Sequence, residues 1–212
     1  MRKGGEQSPP LSYADDYYGA WDVDRIVVVA SGPSLTREDV KRIRGERVIV
    51  VNTTVKMIPW ADVLYACDLK WWEHNENLWR DFQGLKVTWA KPAAAKFNIL
   101  YAYGKKEKGL GRDSLHTGGG SGHMAVNLAY LLATERLKQI VLLGFDMQYK
   151  DGQPHWHGRH RRTSNPSENA LKKWADRMVE MYKDLDSLGI DLINCTRESA
   201  LTIPRKPLED VL

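Results

Sequence analysis

Residues 118–146, GGGSGHMAVNLAYLLATERLKQIVLLGFD, constrain the fold of this chain more than any other stretch. Gly118, Gly119, Gly120, Ser121 and Gly122 open an apolar run from Met124 to Ala133, and residues 139–144 read as a buried strand that stops at Phe145 and Asp146. The predicted helix is hydrophobic nearly all round, through Met124, Ala125, Val126, Leu128, Ala129, Leu131 and Leu132, so it must be covered on both sides. At ~1.5 Å per residue it travels roughly 18 Å. The following strand, at ~3.3 Å per residue, carries the chain back about as far. Gly120, Ser121 and Asp146 are therefore expected at one edge. A helix start presents unpaired N–H groups and a partial positive charge, and glycines let an anion approach the backbone, so the stretch reads as a phosphate or carboxylate seat. The plainer alternative is a flexible turn with Ser121 as helix N-cap.

A chain of 212 residues with 42% hydrophobic and 27% charged residues has the composition of one ordinary globular domain, and its apolar runs fall short of a membrane span. The polar start MRKGGEQSPP carries no apolar core of a secretory signal, so residues 1–20 read as a flexible tail and a cytoplasmic location is expected. Cys67 and Cys195 sit in or just after apolar strands, where a small buried thiol is the expectation. The net charge of +4 favours anionic ligands, but basic and acidic residues are interspersed and no nucleic-acid partner is called for.

The rest of the chain repeats the strand–turn–helix pattern. Residues 26–30 form an apolar strand followed by Ser31, Gly32, Pro33 and Ser34, then a helical stretch over 36–43. Residues 48–51 and 63–67 are further strands closing with Asn52 and Asp68; residues 71–82 have helical spacing, and 86–89 and 99–103 read as short strands. A basic loop, 104–112, leads to the central unit, a long amphipathic helix is predicted over 167–188, with Ser167 or Asn165 as cap and Gly189 as stop, and 191–194 is the last strand. Pro207 is placed to start a final short helix. The expected fold is a single-domain α/β, doubly wound, largely parallel, Rossmann-like sheet over residues 21–212. In such sheets ligands bind outside the carboxyl ends of the strands. Ser31, Asn52, Asp68, Asp146 and Asn194 each follow a strand at once and are expected to converge there.

Residues 147–166 lack periodicity and hold the densest chemical cluster, His155, Trp156, His157, Gly158, Arg159, His160, Arg161 and Arg162, so they read as a lid or binding loop. Three histidines in six residues offer zinc ligands, with Asp146 or Asp151 as a fourth, but the flanking arginines repel a cation and the spacing matches no closed site. The preferred reading has the arginines hold a diphosphate or a leaving phosphate while a histidine takes a proton from an acceptor hydroxyl.

Three segments together, ASGPSL at 30–35, VVNTTV around Asn52 and SGHMAVNLAYLLATERLKQIVLLGFD at 121–146, resemble the bacterial sialyltransferase-like superfamily. That superfamily includes CMP-sialic-acid-dependent sialyltransferases, flagellin-modifying relatives and archaeal 6-hydroxymethyl-dihydropterin diphosphokinases, with compact members encoded in phages and prophages. The resemblance implies a nucleotide-binding transferase, foremost a glycosyltransferase using a nucleotide-activated sugar of CMP type. It implies Ser31, Gly32, Pro33 and Ser34 beside the donor phosphate or sugar, Asn52 at the ribose, and Gly120, Ser121 and Gly122 at the donor carboxylate. The catalytic base falls in the 155–160 loop, where Arg159 interrupts the family's Gly-His pair, so His160 and His157 compete and His160 is preferred. Tyr149 is offset by one residue from a tyrosine that contacts the departing phosphate.

Asp68 departs from the sialyltransferase pattern. A carboxylate beside a phosphate calls for a cation, so Asp68, with Asp146, suits a magnesium-bound diphosphate, and WADVLYACD looks like the diphosphokinase branch. Two alternatives follow: a Mg-dependent diphosphokinase with Asp68 as metal ligand, and a non-catalytic nucleotide-binding or assembly protein using Trp71, Trp72, Trp79 and the 104–112 loop as contact surface. Acceptor and oligomeric state stay open.

Overall fold

The computed structural model describes residues 11–160, 162 and 164–212, and among them are nine short strands and six α-helices. The strands are β1 (Arg25–Val29), β2 (Arg47–Val51), β3 (Val63–Tyr65), β4 (Leu85–Thr88), β5 (Leu100–Tyr101), β6 (Gly104–Lys105), β7 (Leu115–His116), β8 (Gln139–Leu143) and β9 (Asp191–Asn194). The helices are α1 (Arg37–Arg42), α2 (Leu69–His74), α3 (Glu76–Trp79), α4 (Lys91–Phe97), α5 (Ser121–Leu132) and α6 (Glu168–Asp186). Seven strands form one all-parallel sheet in the order β5-β4-β3-β2-β1-β8-β9, and β6 and β7 form a separate parallel pair.

The strand sequences explain why the sheet is covered on both sides. Ile26 and Val28 of β1, with Ile140 and Leu142 of β8, face one core together with α5 and α6. Val27, Val29, Val141 and Leu143 face the other, together with Val40 of α1, Trp71 and Trp72 of α2 and Ala93 of α4. With both faces buried, the strands read as unbroken apolar runs rather than as alternations. The fold is thus a doubly wound, Rossmann-like single domain. From β1 the chain winds outward through β2 to β5, then returns to lay β8 on the other side of β1. The β1–β8 boundary is the switch point, where loops diverge and leave a crevice.

Several local expectations change. Residues 71–82 do not make one helix: Asn75 donates its side-chain N–H to the Trp71 carbonyl at 2.8 Å and separates α2 from α3, the local competition for backbone groups that asparagine favours. Trp71, Trp72 and Trp79 are buried in edge-to-face contacts that continue to Phe97, so they offer no contact surface. The basic loop is partly ordered by β6 and β7 and by Asn127 of α5, whose Oδ1 accepts the N–H groups of Gly111 and His116 at 3.0 and 2.9 Å. Of the segment read as a tail, residues 1–10 lie outside the described residues. Residues 11–20 are tied down by the Tyr101 N–H to the Ser12 carbonyl and by the Ala14 and Gly19 N–H groups. No helix among the described residues is long and apolar enough to cross a membrane.

Candidate functional site

The turn leaving β1 is built by contact with the end of β8. Asp146 Oδ2 accepts the backbone N–H of Ser34 at 2.9 Å, and the Gly144 carbonyl accepts that of Gly32 at 2.8 Å. A Cβ at position 32 would lie 2.5 Å from that carbonyl oxygen and closer still to Asp146 Oδ1, so only glycine fits. Burial raises the Asp146 carboxyl to about 6 against the lowering effect of the Ser34 hydrogen bond, and its Oδ1 has no partner among the described residues. Asp146 is therefore first a brace for the 32–34 turn. Ser34 is buried by the same arrangement and does not line the cleft.

Next to this turn, the Ser31 hydroxyl lies 2.8 Å from the Thr54 hydroxyl, and Thr54 Oγ1 donates to the Ala30 carbonyl at 3.1 Å. Asn52 follows β2 with φ of 53°, a left-handed conformation that asparagine tolerates better than most residues. Its amide oxygen is buried without a partner among the described residues. Asp68 precedes α2 but does not cap it; its side chain is exposed, with the Cys67 thiol 3.4 Å from Oδ2. Burial, then the Asp68 charge, pushes the Cys67 thiol up to about 12, in keeping with the inert thiol expected from the sequence. Both cysteines are free.

Opposite stands the start of α5. Gly120, not Ser121, is the N-cap, and no side chain caps the helix, so its first N–H groups receive no side-chain acceptor. Ser121 instead donates its hydroxyl hydrogen to Cys67 Sγ at 2.9 Å, bringing the α5 terminus against the end of β3. A Cβ on Gly120 would sit 3.0 Å from the Trp174 ring. Trp174, Leu171 and Met178 of α6 form the apolar wall.

These elements enclose a cleft of about 1230 Å³. Ser31, Gly32, Pro33, Asn52, Asp68, Gly120, Ser121, Gly122 and Asp146 all line it, and so do His155, His160, Lys70 and Arg162. Four of the five polar residues that follow strands thus meet. Asn194 does not: its side chain is used in the turn after β9, bonding Thr196 and Ser199. Tyr149 lies outside the cleft as well, with its hydroxyl donating to the Pro166 carbonyl at 2.6 Å and its ring under the Arg159 guanidinium at 5.6 Å.

The histidine loop is anchored over the β1 turn by the Trp156 N–H, which donates to the Ser31 carbonyl at 3.1 Å. Asn165 holds its far end, accepting the His160 N–H at 2.8 Å and donating to the His160 carbonyl at 3.1 Å. Burial lowers all three loop histidines. His155 falls to about 3, with further lowering from His160 and His157; His157 falls to about 4, with further lowering from His160; His160 is lowered by burial alone. They are neutral imidazoles at neutral pH. His157 stands behind the other two rather than in the cleft wall. Arg161 lies outside the described residues.

Sequence reasoning missed Thr54 and Trp174, and it offered Asn165 only as an alternative to Ser167 for the cap of α6, a place that Ser167 takes by accepting the Ala170 N–H. Trp174 was findable: with Leu171, Met178 and Leu185 it lies on the apolar stripe of an otherwise polar helix, at the end nearest the glycine loop. The Thr54 bonds and the Asn165 bonds to His160 carry no pattern in one sequence. Compared with protein-family models, curated proteins and solved structures, the chain matches none, and the site is read from its own geometry.

Proposed function

We propose that the protein is a nucleotide-binding transferase, of the sialyltransferase-like glycosyltransferase kind, whose donor is a nucleotide-activated sugar of CMP type. The observation that carries this reading is the shared cleft: the uncapped α5 terminus and the neutral His160 imidazole line it together at the β1–β8 switch point. The α5 terminus suits the donor's anionic group. The unpartnered Asn52 amide oxygen suits a ribose hydroxyl, since a buried acceptor gains most from a donor. Trp174 offers an aromatic face.

In the proposed reaction the acceptor hydroxyl oxygen bonds to the activated sugar carbon. The bond from that carbon to the leaving phosphate oxygen breaks, and its electron pair stays on the phosphate, in the cleft that the α5 terminus lines together with Lys70 and Arg162. The hydroxyl proton goes to the histidine loop, of which His160 is the member predicted as base that lines the cleft.

Asp68 supports a second reading, magnesium-dependent diphosphoryl transfer. Its uncapped carboxylate faces the cleft, and magnesium is often held by one or two carboxylates plus substrate phosphates. Among the described residues neither Asp68 nor Asp146 belongs to a cluster of three ligand side chains. Turnover of His160→Ala and Asp68→Asn on a nucleotide that binds decides between the two. Sugar transfer predicts a loss of roughly 10²- to 10⁴-fold for His160→Ala with nucleotide affinity kept, and a mild effect for Asp68→Asn. The reverse pattern supports diphosphoryl transfer.

A further inference from the structure

We propose that His155, His157 and His160 form a binding site for one transition-metal ion of the zinc class. The loop folds for this. The Gly158 N–H donates to the His155 carbonyl at 2.9 Å, closing a tight turn, and Gly158 with φ of 86° reverses the chain so that His160 returns to the other two rings. Ring centroids lie 4.6 to 5.1 Å apart, and one ligand nitrogen from each residue lies within 4.8 Å of the others. A tetrahedral zinc, ~2.0–2.1 Å from each nitrogen, holds such atoms about 3.4 Å from one another, so the three rings would draw together on binding.

Two further observations point to a ligand. The Nε2 atoms of His155 and His157 are both buried and have no hydrogen-bond partner among the described residues, an arrangement that costs free energy unless something occupies those lone pairs. For Arg159 the charge objection raised by the sequence weakens, because its guanidinium is turned onto the Tyr149 ring and the Gly152 carbonyl.

Neither Asp146 nor Asp151 joins the cluster. Three protein ligands leave the fourth position of a tetrahedral ion open, the pattern of catalytic rather than structural zinc. The metal site stands on ring geometry and does not depend on the transferase reading. Only one consequence rests on that reading: with a His160 nitrogen engaged by the ion, zinc-bound water, with a pKa near ~7, would as hydroxide take the acceptor's proton in place of the free His160 imidazole and return to water.

The test uses the full chain, stripped with a chelator and titrated with Co²⁺ followed by Zn²⁺, read by visible absorption and calorimetry. The site predicts one Co²⁺ per chain with the intense visible bands of tetrahedral coordination, displaced by one Zn²⁺. His155→Ala and His157→Ala should each weaken binding by more than the ~10- to 100-fold typical of losing an outer-shell partner, while His74→Ala should leave it unchanged. Thermal unfolding of each variant in chelator checks the fold, and the wild-type Co²⁺ spectrum stands even if a variant fails to fold. Absence of saturable one-to-one binding, an octahedral spectrum, or binding that survives His157→Ala would overturn the proposal. These readouts need no turnover, so failure of the transferase reading leaves them intact.

Discussion

Asp146 and Ser34, 112 positions apart in sequence, are joined by a hydrogen bond of 2.9 Å from the Ser34 N–H to Asp146 Oδ2. The bond fastens the loop after β1 to the loop after β8, the two elements that flank the crevice of a doubly wound sheet. It also places a buried carboxylate against the 32–34 turn.

The first prediction concerns that turn. Gly32→Ala adds a methyl group where the Gly144 carbonyl and Asp146 leave no space. Denaturant unfolding should register a loss of about 1–3 kcal/mol, the usual cost of overpacking a closely fitted site. A Gly32→Ala protein as stable as wild type would mean that the turn and Asp146 are not in contact.

A second prediction follows from the protonation of Asp146. Burial raises its carboxyl to about 6, above the ~3.9 of an unfolded aspartate. The folded state therefore binds the proton more tightly, and the group's contribution is fully present below the unfolded value and is lost as pH rises through about 6. The stability difference between wild type and Asp146→Asn should thus fall between roughly pH 4 and pH 6. Urea midpoints for both proteins across that range measure it; a difference that rises with pH would contradict the assigned environment.

Much of this was legible in the sequence, for reasons that particular residues make plain. Residues 139–143 announce a strand buried on both faces because every position from Ile140 to Leu143 is apolar, and the resulting parallel order follows from the strand–helix alternation. The convergence of Ser31, Asn52, Asp68 and Asp146 follows from the same geometry, since each leaves the carboxyl end of a parallel strand. Helix α4 was missed because seven residues containing a proline and three alanines give too short an apolar period. The roles of Ser34 and Tyr149 were not legible, because each is decided by a partner far along the chain or in an irregular loop. The three histidines were legible as zinc-ligand candidates but were set aside on charge and spacing, because the spacing alone does not specify the turn at Gly158 that brings them together.

Trp174 carries a third prediction. Its ring packs over Gly120 at the mouth of α5 and lines the cleft. If a nucleobase stacks there, Trp174→Ala should weaken nucleotide binding by about 1–3 kcal/mol, the range found for bases stacked on aromatic side chains, whereas inorganic phosphate binding should change little. Equal loss for both probes would assign the ring a purely structural part.

The central claim, that the α5 terminus seats the anionic part of a nucleotide, is tested most directly by calorimetric titration of the full chain with CMP and CDP at low salt, comparing wild type with Ser121→Asp. A carboxylate at the first residue of α5 opposes an incoming anion at the positive end of the helix, an effect of ~0.3–2 kcal/mol. The account predicts saturable one-to-one binding by wild type and weaker binding by a folded Ser121→Asp protein. Unchanged affinity in that variant, or no nucleotide binding by wild type, would contradict it.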